Sequence, residues 1–157
     1  MAEPRIVVQE ADFDAGAELA ALADDAAGGI ASFTGIVRAK ENAAQRVTAL
    51  TLEHYPGMTE TALAKVAAEA CARWPLSGCT IIHRVGRLLP GQYIVFVAAA
   101  SPHRKAALEA TSFLIDWLKI SAPFWKSEEY ESGESAWVAP RVQDEQAALA
   151  WQNRPGA

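Results

Sequence analysis

The polar residues that attract attention first lie at the start of one predicted helix, which the apolar spacing places over residues 102–120. Ser101 is expected at the N-cap and Pro102 at the first helical position. His103 and Arg104 follow in the first turn. Free backbone N–H groups, the positive helix end, an imidazole and a guanidinium would meet there and suit a phosphate or carboxylate. An ordinary cap with two exposed basic residues is the alternative interpretation.

Two lysines flank the end of the same helix. Lys119 lies just before the helix stop at Pro123, and Lys126 lies just after it. Lys126 directly follows two aromatic residues, Phe124 and Trp125. Apolar surroundings and a second ammonium group favour a neutral amine, which can act as a base or a nucleophile. Alternatively, Lys119 complements the negative helix end and Lys126 is a solvated strand residue.

Other polar residues give weaker indications of a functional site. Arg38 ends a glycine-containing predicted strand, where its guanidinium could clamp an anionic substrate. His54, His83 and His103 lack the spacing of a metal site, so we expect no metal. No glycine-rich nucleotide-binding motif is present, which argues against binding of a dinucleotide or a nucleoside triphosphate. Cys71 lies within a predicted helix with no base nearby in sequence, which disfavours a cysteine nucleophile.

The composition restricts the class of protein. A chain of 157 residues with 51% hydrophobic and 21% charged residues indicates a single globular domain over residues 1–157. A net charge of −5 argues against a nucleic-acid binder, because phosphate contacts need a basic face. No signal peptide or membrane span is predicted, so we expect no membrane partner. Cys71 and Cys79 are expected to be buried thiols of a cytoplasmic protein, with a disulfide as the alternative.

The elements that must position these side chains are read from periodicity and turn signals. Strands are predicted at 5–9, 30–38, 47–55, 80–88, 93–100, 124–130 and 135–138, and helices at 14–26, 59–74, 102–120 and 143–152. Turn signals at 89–92 and 132–133 indicate hairpins between consecutive strands. This order favours an α+β fold with a largely antiparallel sheet, packed helices, and a small C-terminal β-hairpin and helix.

Five blocks of this sequence together carry a resemblance to a known family. They are Phe33-Thr-Gly-Ile-Val-Arg38, Leu52-Glu-His-Tyr-Pro-Gly-Met-Thr-Glu60, Ile82-His-Arg-Val-Gly86, Ser101-Pro-His-Arg104 and Leu118-Lys-Ile-Ser-Ala-Pro-Phe-Trp-Lys126. In this order, over residues 5–151, they resemble the catalytic (large) subunit of molybdopterin synthase. The Lys-x-x-x-Pro-x-x-Lys block is the most specific of them. The resemblance implies an α+β fold of the hammerhead kind.

The resemblance also implies an activity. Enzymes of this family transfer sulfur to cyclic pyranopterin monophosphate and so form the dithiolene of molybdopterin, a step of molybdenum cofactor biosynthesis. The sulfur comes from the C-terminal Gly-Gly thiocarboxylate of a small ubiquitin-like subunit. The large subunits form a homodimer core with a small subunit at each end, a heterotetramer. No metal or organic cofactor is implied.

Residue roles are implied in the same way. Lys119 would lie closest to the thiocarboxylate and bond to it transiently or act as acid and base, and Lys126 would assist proton transfer and hold substrate. Arg141 would reach across the dimer into the neighbouring pocket. The implied substrate-binding positions are Ile36, Val37, Arg38, His103, Arg104, Lys119, Lys126, Ser127, Glu128 and Arg141. The alternative function is a non-catalytic dimeric module that binds a ubiquitin-like tail or a pterin, and the lysine pair favours the enzyme.

Overall fold

The structure is a computed structural model, and it describes residues 2–39, 45–138 and 142–152. The elements in chain order are β1 (Arg5–Gln9), α1 (Ala15–Leu22), β2 (Gly29–Ile36), β3 (Val47–His54), α2 (Met58–Arg73), β4 (Gly78–Arg84), β5 (Gly86–Leu88), β6 (Tyr93–Ser101), α3 (Arg104–Ile120), β7 (Phe124–Tyr130), β8 (Ser135–Trp137) and α4 (Val142–Gln152). The α+β class is confirmed. Most element ends lie within two residues of those predicted.

The strands of the described residues form two four-stranded sheets, where one was predicted. The first sheet has the order β1-β4-β6-β2 and the second β5-β3-β7-β8. Neighbouring strands are antiparallel, except that β1 runs parallel to β4. The single strand predicted over 80–88 is divided at Gly86, whose φ of +86° is one that residues with a side chain rarely adopt. The chain leaves the first sheet there and enters the second.

The main core lies between the first sheet and the helices α2 and α3. The sequence places Leu63, Val66, Ala67 and Ala70 on one apolar stripe of α2, and all four are buried. Strand β6 is buried from Val95 onward and lies inside its sheet, as its apolar composition predicts. This core fixes α3 against β2 and β6, and thereby fixes both ends of that helix.

The start of α3 differs from the prediction. The helix begins at Arg104 with His103 at the N-cap, and the His103 side chain makes no capping hydrogen bond. Ser101 instead ends β6, where it pairs with Gly29 of β2. Its hydroxyl donates to the carbonyl of Pro75 at 2.8 Å. Sheet pairing therefore holds Ser101 in the strand, and the predicted cap at Ser101 is wrong.

Helix α1 is shorter than the helix predicted over 14–26. Asp14 caps it by accepting a hydrogen bond from the Ala17 N–H at 3.0 Å. The chain becomes extended at Ala23. The Asp24 carboxylate then accepts from a backbone N–H two residues ahead, a local bond that competes with helix continuation.

The two cysteines are free and buried, as predicted. Their thiols are neighbours across α2 and β4. A hydrogen bond from Cys79 lowers the pKa of Cys71 to about 7, and the same bond raises the pKa of Cys79. Within the described residues, no helix has the length and apolarity needed to cross a membrane.

Candidate active site

A cavity of about 300 Å³ lies where the C-terminal end of α3, strand β7 and the segment after β2 meet. Both lysines singled out from the sequence line this one cavity. The predicted site residues in its wall are Ile36, Val37, Arg38, Lys119, Lys126 and Glu128. The cavity is thus built from segments that are far apart in the chain.

Strand β7 forms one wall of the cavity, because alternate side chains of the strand project from the same face. Phe124, Lys126 and Glu128 are two residues apart, so their side chains project from the same face, and all three line the cavity. Glu128 is buried, and its carboxylate accepts a long hydrogen bond from the Tyr130 hydroxyl at 3.4 Å. Ser127 alternates to the opposite face and is not among the lining residues.

The segment after β2 is held by its neighbours. The ladder between β2 and β6 shifts register between Gly35 and Ile36. A glycine within a strand predicts either such a bulge or a close approach of a ligand to the backbone, and the structure shows the bulge. Beyond it, the Val37 N–H donates to the carbonyl of Gln92, and the Val37 carbonyl accepts from the Gly91 N–H. Val37 is buried, so its position is fixed on both the backbone and the side-chain side. Arg38 follows directly and borders the cavity.

His103 and Arg104 lie at the opposite end of α3. Fifteen residues at the rise of an α-helix separate Arg104 from Lys119 by about 22 Å. Both basic residues are exposed, and neither lines the cavity. One copy of the chain therefore does not bring them to the lysine pair. Arg141 lies outside the described residues. The polar composition of residues 39–46 predicts a loop, and residues 40–44 of it also lie outside the described part of the chain.

His83 lines the cavity and was missed as a site residue by the sequence interpretation, which treated it only as a possible metal ligand. Its ring stacks on Phe124 with centroids 3.9 Å apart and planes at 20°. Burial lowers the pKa of His83 to about 3, and the nearby charges of Lys126 and Lys119 add to this lowering. The signal available was a histidine directly after two apolar residues, Ile81 and Ile82, that are buried in the sheet.

The charges around the cavity have both signs. Arg38, Lys119 and Lys126 supply positive charge, and Glu128 and Asp144 supply carboxylates. Asp144, on the first turn of α4, was also missed from the sequence. In the described ranges, no three His, Cys, Asp or Glu side chains converge as metal ligands would. The fold and this cavity define an α+β protein with a pocket lined by two lysines and by residues of both charge signs.

Comparison with known proteins makes the class more specific. The family model described as "MoaE protein" matches residues 8–121, and the chain belongs to this family. The molybdopterin synthase catalytic subunit of Escherichia coli is 51% identical over 96% of this chain and all of its own length. The protein of the same name from Mesorhizobium japonicum is 49% identical over 96% of this chain and 94% of its own length.

Solved structures agree with the fold. The molybdopterin biosynthesis MoaE protein of Burkholderia ambifaria has a TM-score of 0.80 and 46% identity, covering 98% of this chain and all of the other. Molybdopterin synthase from Staphylococcus aureus has a TM-score of 0.78 and 30% identity, covering 88% and 98%. The predicted family, fold class and enzyme class, within molybdenum cofactor biosynthesis, are confirmed.

Proposed function

We propose that this chain transfers sulfur from the thiocarboxylated C-terminus of a small ubiquitin-like subunit to cyclic pyranopterin monophosphate, forming the dithiolene of molybdopterin. The observation that carries the proposal is the shared cavity of Lys119 and Lys126, bordered by Arg38. Two amines beside a guanidinium suit a reaction between two anionic partners. The membership of the chain in the MoaE family supports the same chemistry.

The two lysines divide the work according to their exposure. Lys119 is exposed at the end of α3, where an extended peptide tail arriving from solvent meets it first. Lys126 is half-buried on β7 and faces the substrate deeper in the cavity. The thiocarboxylate is itself a good sulfur nucleophile, so the protein mainly positions the reactants and moves protons. Lys119 either relays a proton at the thiocarboxylate or, once the sulfur has bonded to the substrate, its amine adds to the carbonyl carbon. In the second case the carbonyl C–S bond breaks and leaves the sulfur on the substrate, and water then releases the tail as a carboxylate and restores the amine.

A homodimer reconciles the basic helix start with this site. Arg104, at the start of α3, is about 22 Å along the helix from Lys119 of its own chain, too far for the two to share one small substrate. If the start of α3 in a second copy meets the cavity of the first, the imidazole and guanidinium reach the substrate phosphate across the interface. We propose this arrangement, with Arg141 crossing in the same way and one small subunit bound at each end of the dimer.

The test is reconstitution. The protein is incubated with the pterin precursor and the thiocarboxylated partner, and mass spectrometry detects the dithiolene product. We expect Lys119→Ala to slow formation of the product by about 10²-fold or more, since removing a proton-transferring group typically costs that much. Folding, checked by circular dichroism, and affinity for the partner should remain.

The matched control is Lys65→Ala, which removes an exposed lysine of α2 outside the cavity and should leave turnover unchanged. Wild-type turnover by Lys119→Ala would exclude the catalytic assignment. A protein that binds the partner tail or the pterin but makes no product would instead be the non-catalytic binding module.

A further inference from the structure

One buried side chain of the cavity has no part in the mechanism above. His83 is 6% exposed and lies on β4, which enters the cavity wall from the first sheet. Its ring lies flat against Phe124, two residues before Lys126 on the same face of β7. A buried imidazole in this place is fixed both in position and in the direction of its ring plane.

The hydrogen bonding of His83 assigns its tautomer. Nδ1 is 2.8 Å from the carbonyl oxygen of Arg84, and a carbonyl only accepts, so Nδ1 carries the hydrogen. In the neutral ring, Nε2 then has a free lone pair. Among the residues that the structure describes, no donor is hydrogen-bonded to Nε2. A wall of the cavity therefore offers an oriented, neutral acceptor.

The surroundings keep that acceptor neutral. Burial disfavours the imidazolium, and the titratable groups that face the ring, Lys119, Lys126 and His54, add positive charge. The lone pair of Nε2 is thus available at any pH near neutrality. A ring held this way is a poor proton carrier and a good hydrogen-bond acceptor.

We propose that Nε2 of His83 accepts a hydrogen bond from an N–H group of the pterin ring and so orients the substrate in the cavity. The inference rests on the proposed function and deepens it. The guanidinium and amines of the cavity match the anionic groups of the reactants, whereas the ring edge of a pterin presents neutral N–H donors. Glu128, a nearby carboxylate acceptor, already accepts from Tyr130. The partner's tail would meet exposed Lys119 before it could reach buried His83.

Two substitutions distinguish the role of His83 as a hydrogen-bond acceptor from its role in folding. His83→Phe keeps an aromatic ring against Phe124 but removes the lone pair, and His83→Gln places an amide oxygen near the position of Nε2. We expect His83→Phe to weaken equilibrium binding of the pterin precursor about tenfold, as for an unmatched buried donor, with His83→Gln within about threefold of wild type. Affinity for the small subunit should change in neither variant. Titration of protein fluorescence with the precursor measures the first affinity, and calorimetry the second.

The control is a substitution outside the lining of the cavity. Lys65→Ala removes an exposed lysine of α2 outside the lining and should bind precursor normally. If His83→Phe does not fold, His83→Leu is the second variant without an acceptor. The inference is overturned if the acceptor-free variant binds precursor like wild type, or if His83→Gln loses as much affinity. A wild-type protein that makes no dithiolene contradicts the proposed function itself, whereas normal turnover with an unaffected His83→Phe overturns this inference alone.

Discussion

Single side chains in the cavity owe their chemistry to what surrounds them. His83 and His54 are the same residue type on strands of the two sheets, yet only His83 is fully enclosed and stacked on an aromatic ring. Lys119 and Lys126 differ in the same respect, the first exposed and the second half-buried. Burial therefore separates side chains that meet solvent from side chains enclosed in the cavity wall.

The enclosure of His83 predicts a pH dependence of stability. Its pKa is about 3 in the folded chain and about 6.5 in the unfolded chain, so the unfolded state takes up the proton first as the pH falls. Stability should be full above pH 6.5 and decline from there toward pH 3. Between pH 7 and 4.5, the free energy of unfolding should fall by about 2 to 3 kcal/mol more in wild type than in His83→Gln. Urea denaturation at both pH values measures this difference, and equal slopes would refute it.

The basic start of α3 predicts a binding effect. Arg104→Ala should weaken pterin binding about tenfold, because it removes a charge-assisted hydrogen bond to an anionic group. At saturating substrate, single-turnover sulfur transfer should slow much less. The two quantities come from fluorescence titration and from rapid quench with mass detection. Unchanged pterin affinity would argue against an anion site at this helix end.

The secondary-structure elements position the site because their backbones pack closely against one another. Strand β7 carries alternate residues into the cavity, and the hydrogen bonds of Val37 hold the segment after β2 beside it. At the other end of β2, Gly28 donates to the carbonyl of Ser101 at 2.9 Å. A Cβ at Gly28 would lie 2.0 Å from the carbonyl oxygen of Pro102, so only glycine fits against the start of α3.

This contact predicts that Gly28→Ala destabilises the protein by about 2 kcal/mol or more, since backbone must move to admit the methyl group. Gly16→Ala is the matched control. Its Cβ would meet only the Asp14 carboxylate, at 3.4 Å, within a helix that alanine favours, so stability should hold or rise by up to about 1 kcal/mol. Thermal unfolding of both variants measures the effect. Similar thermal unfolding midpoints for the two variants would contradict the prediction, because they would show that the backbone at the start of α3 moves without loss of stability.

The whole chain presents its two groups of basic residues at opposite ends of one long helix. Within one copy this separates Arg104 from Lys119 by about 22 Å, and a substrate as small as a pterin cannot bridge that length. A dimer in which each site takes residues from both copies removes the conflict. The charges of the cavity and of the helix start then act on one ligand.

Shared sites predict complementation between impaired variants. Lys119→Ala and Arg104→Ala protomers, unfolded together and refolded as a mixture, should form hybrids with one intact site. If half of the dimers are hybrids and each has one working site, activity at low precursor concentration recovers to about a quarter of wild type, above the roughly one-tenth or less expected of each variant alone. Reconstituted dithiolene formation at low precursor concentration measures it. No recovery in a mixture shown to contain hybrids would place Arg104 outside the shared site.

Much of the architecture follows from local patterns in the chain. The apolar stripe of α2, the alternation of β3 and the turn glycines identified nearly every element, because periodicity and backbone conformation are local properties. Position around Pro123 singled out the lysine pair but left a solvated role open, and the family resemblance implied its function. The structure brings both lysines to one cavity.

Long-range pairing decided the rest. Ser101 carries a cap signature but remains in β6, because its ladder with Gly29 extends to the end of the strand. The strand predicted over 80–88 divides at Gly86 because its two halves pair in different sheets. His83 became a cavity residue only when β4 met Phe124 of β7, a contact across 41 positions of the chain. The residue types of this chain establish which chemistry is available, whereas packing between distant segments establishes which groups meet.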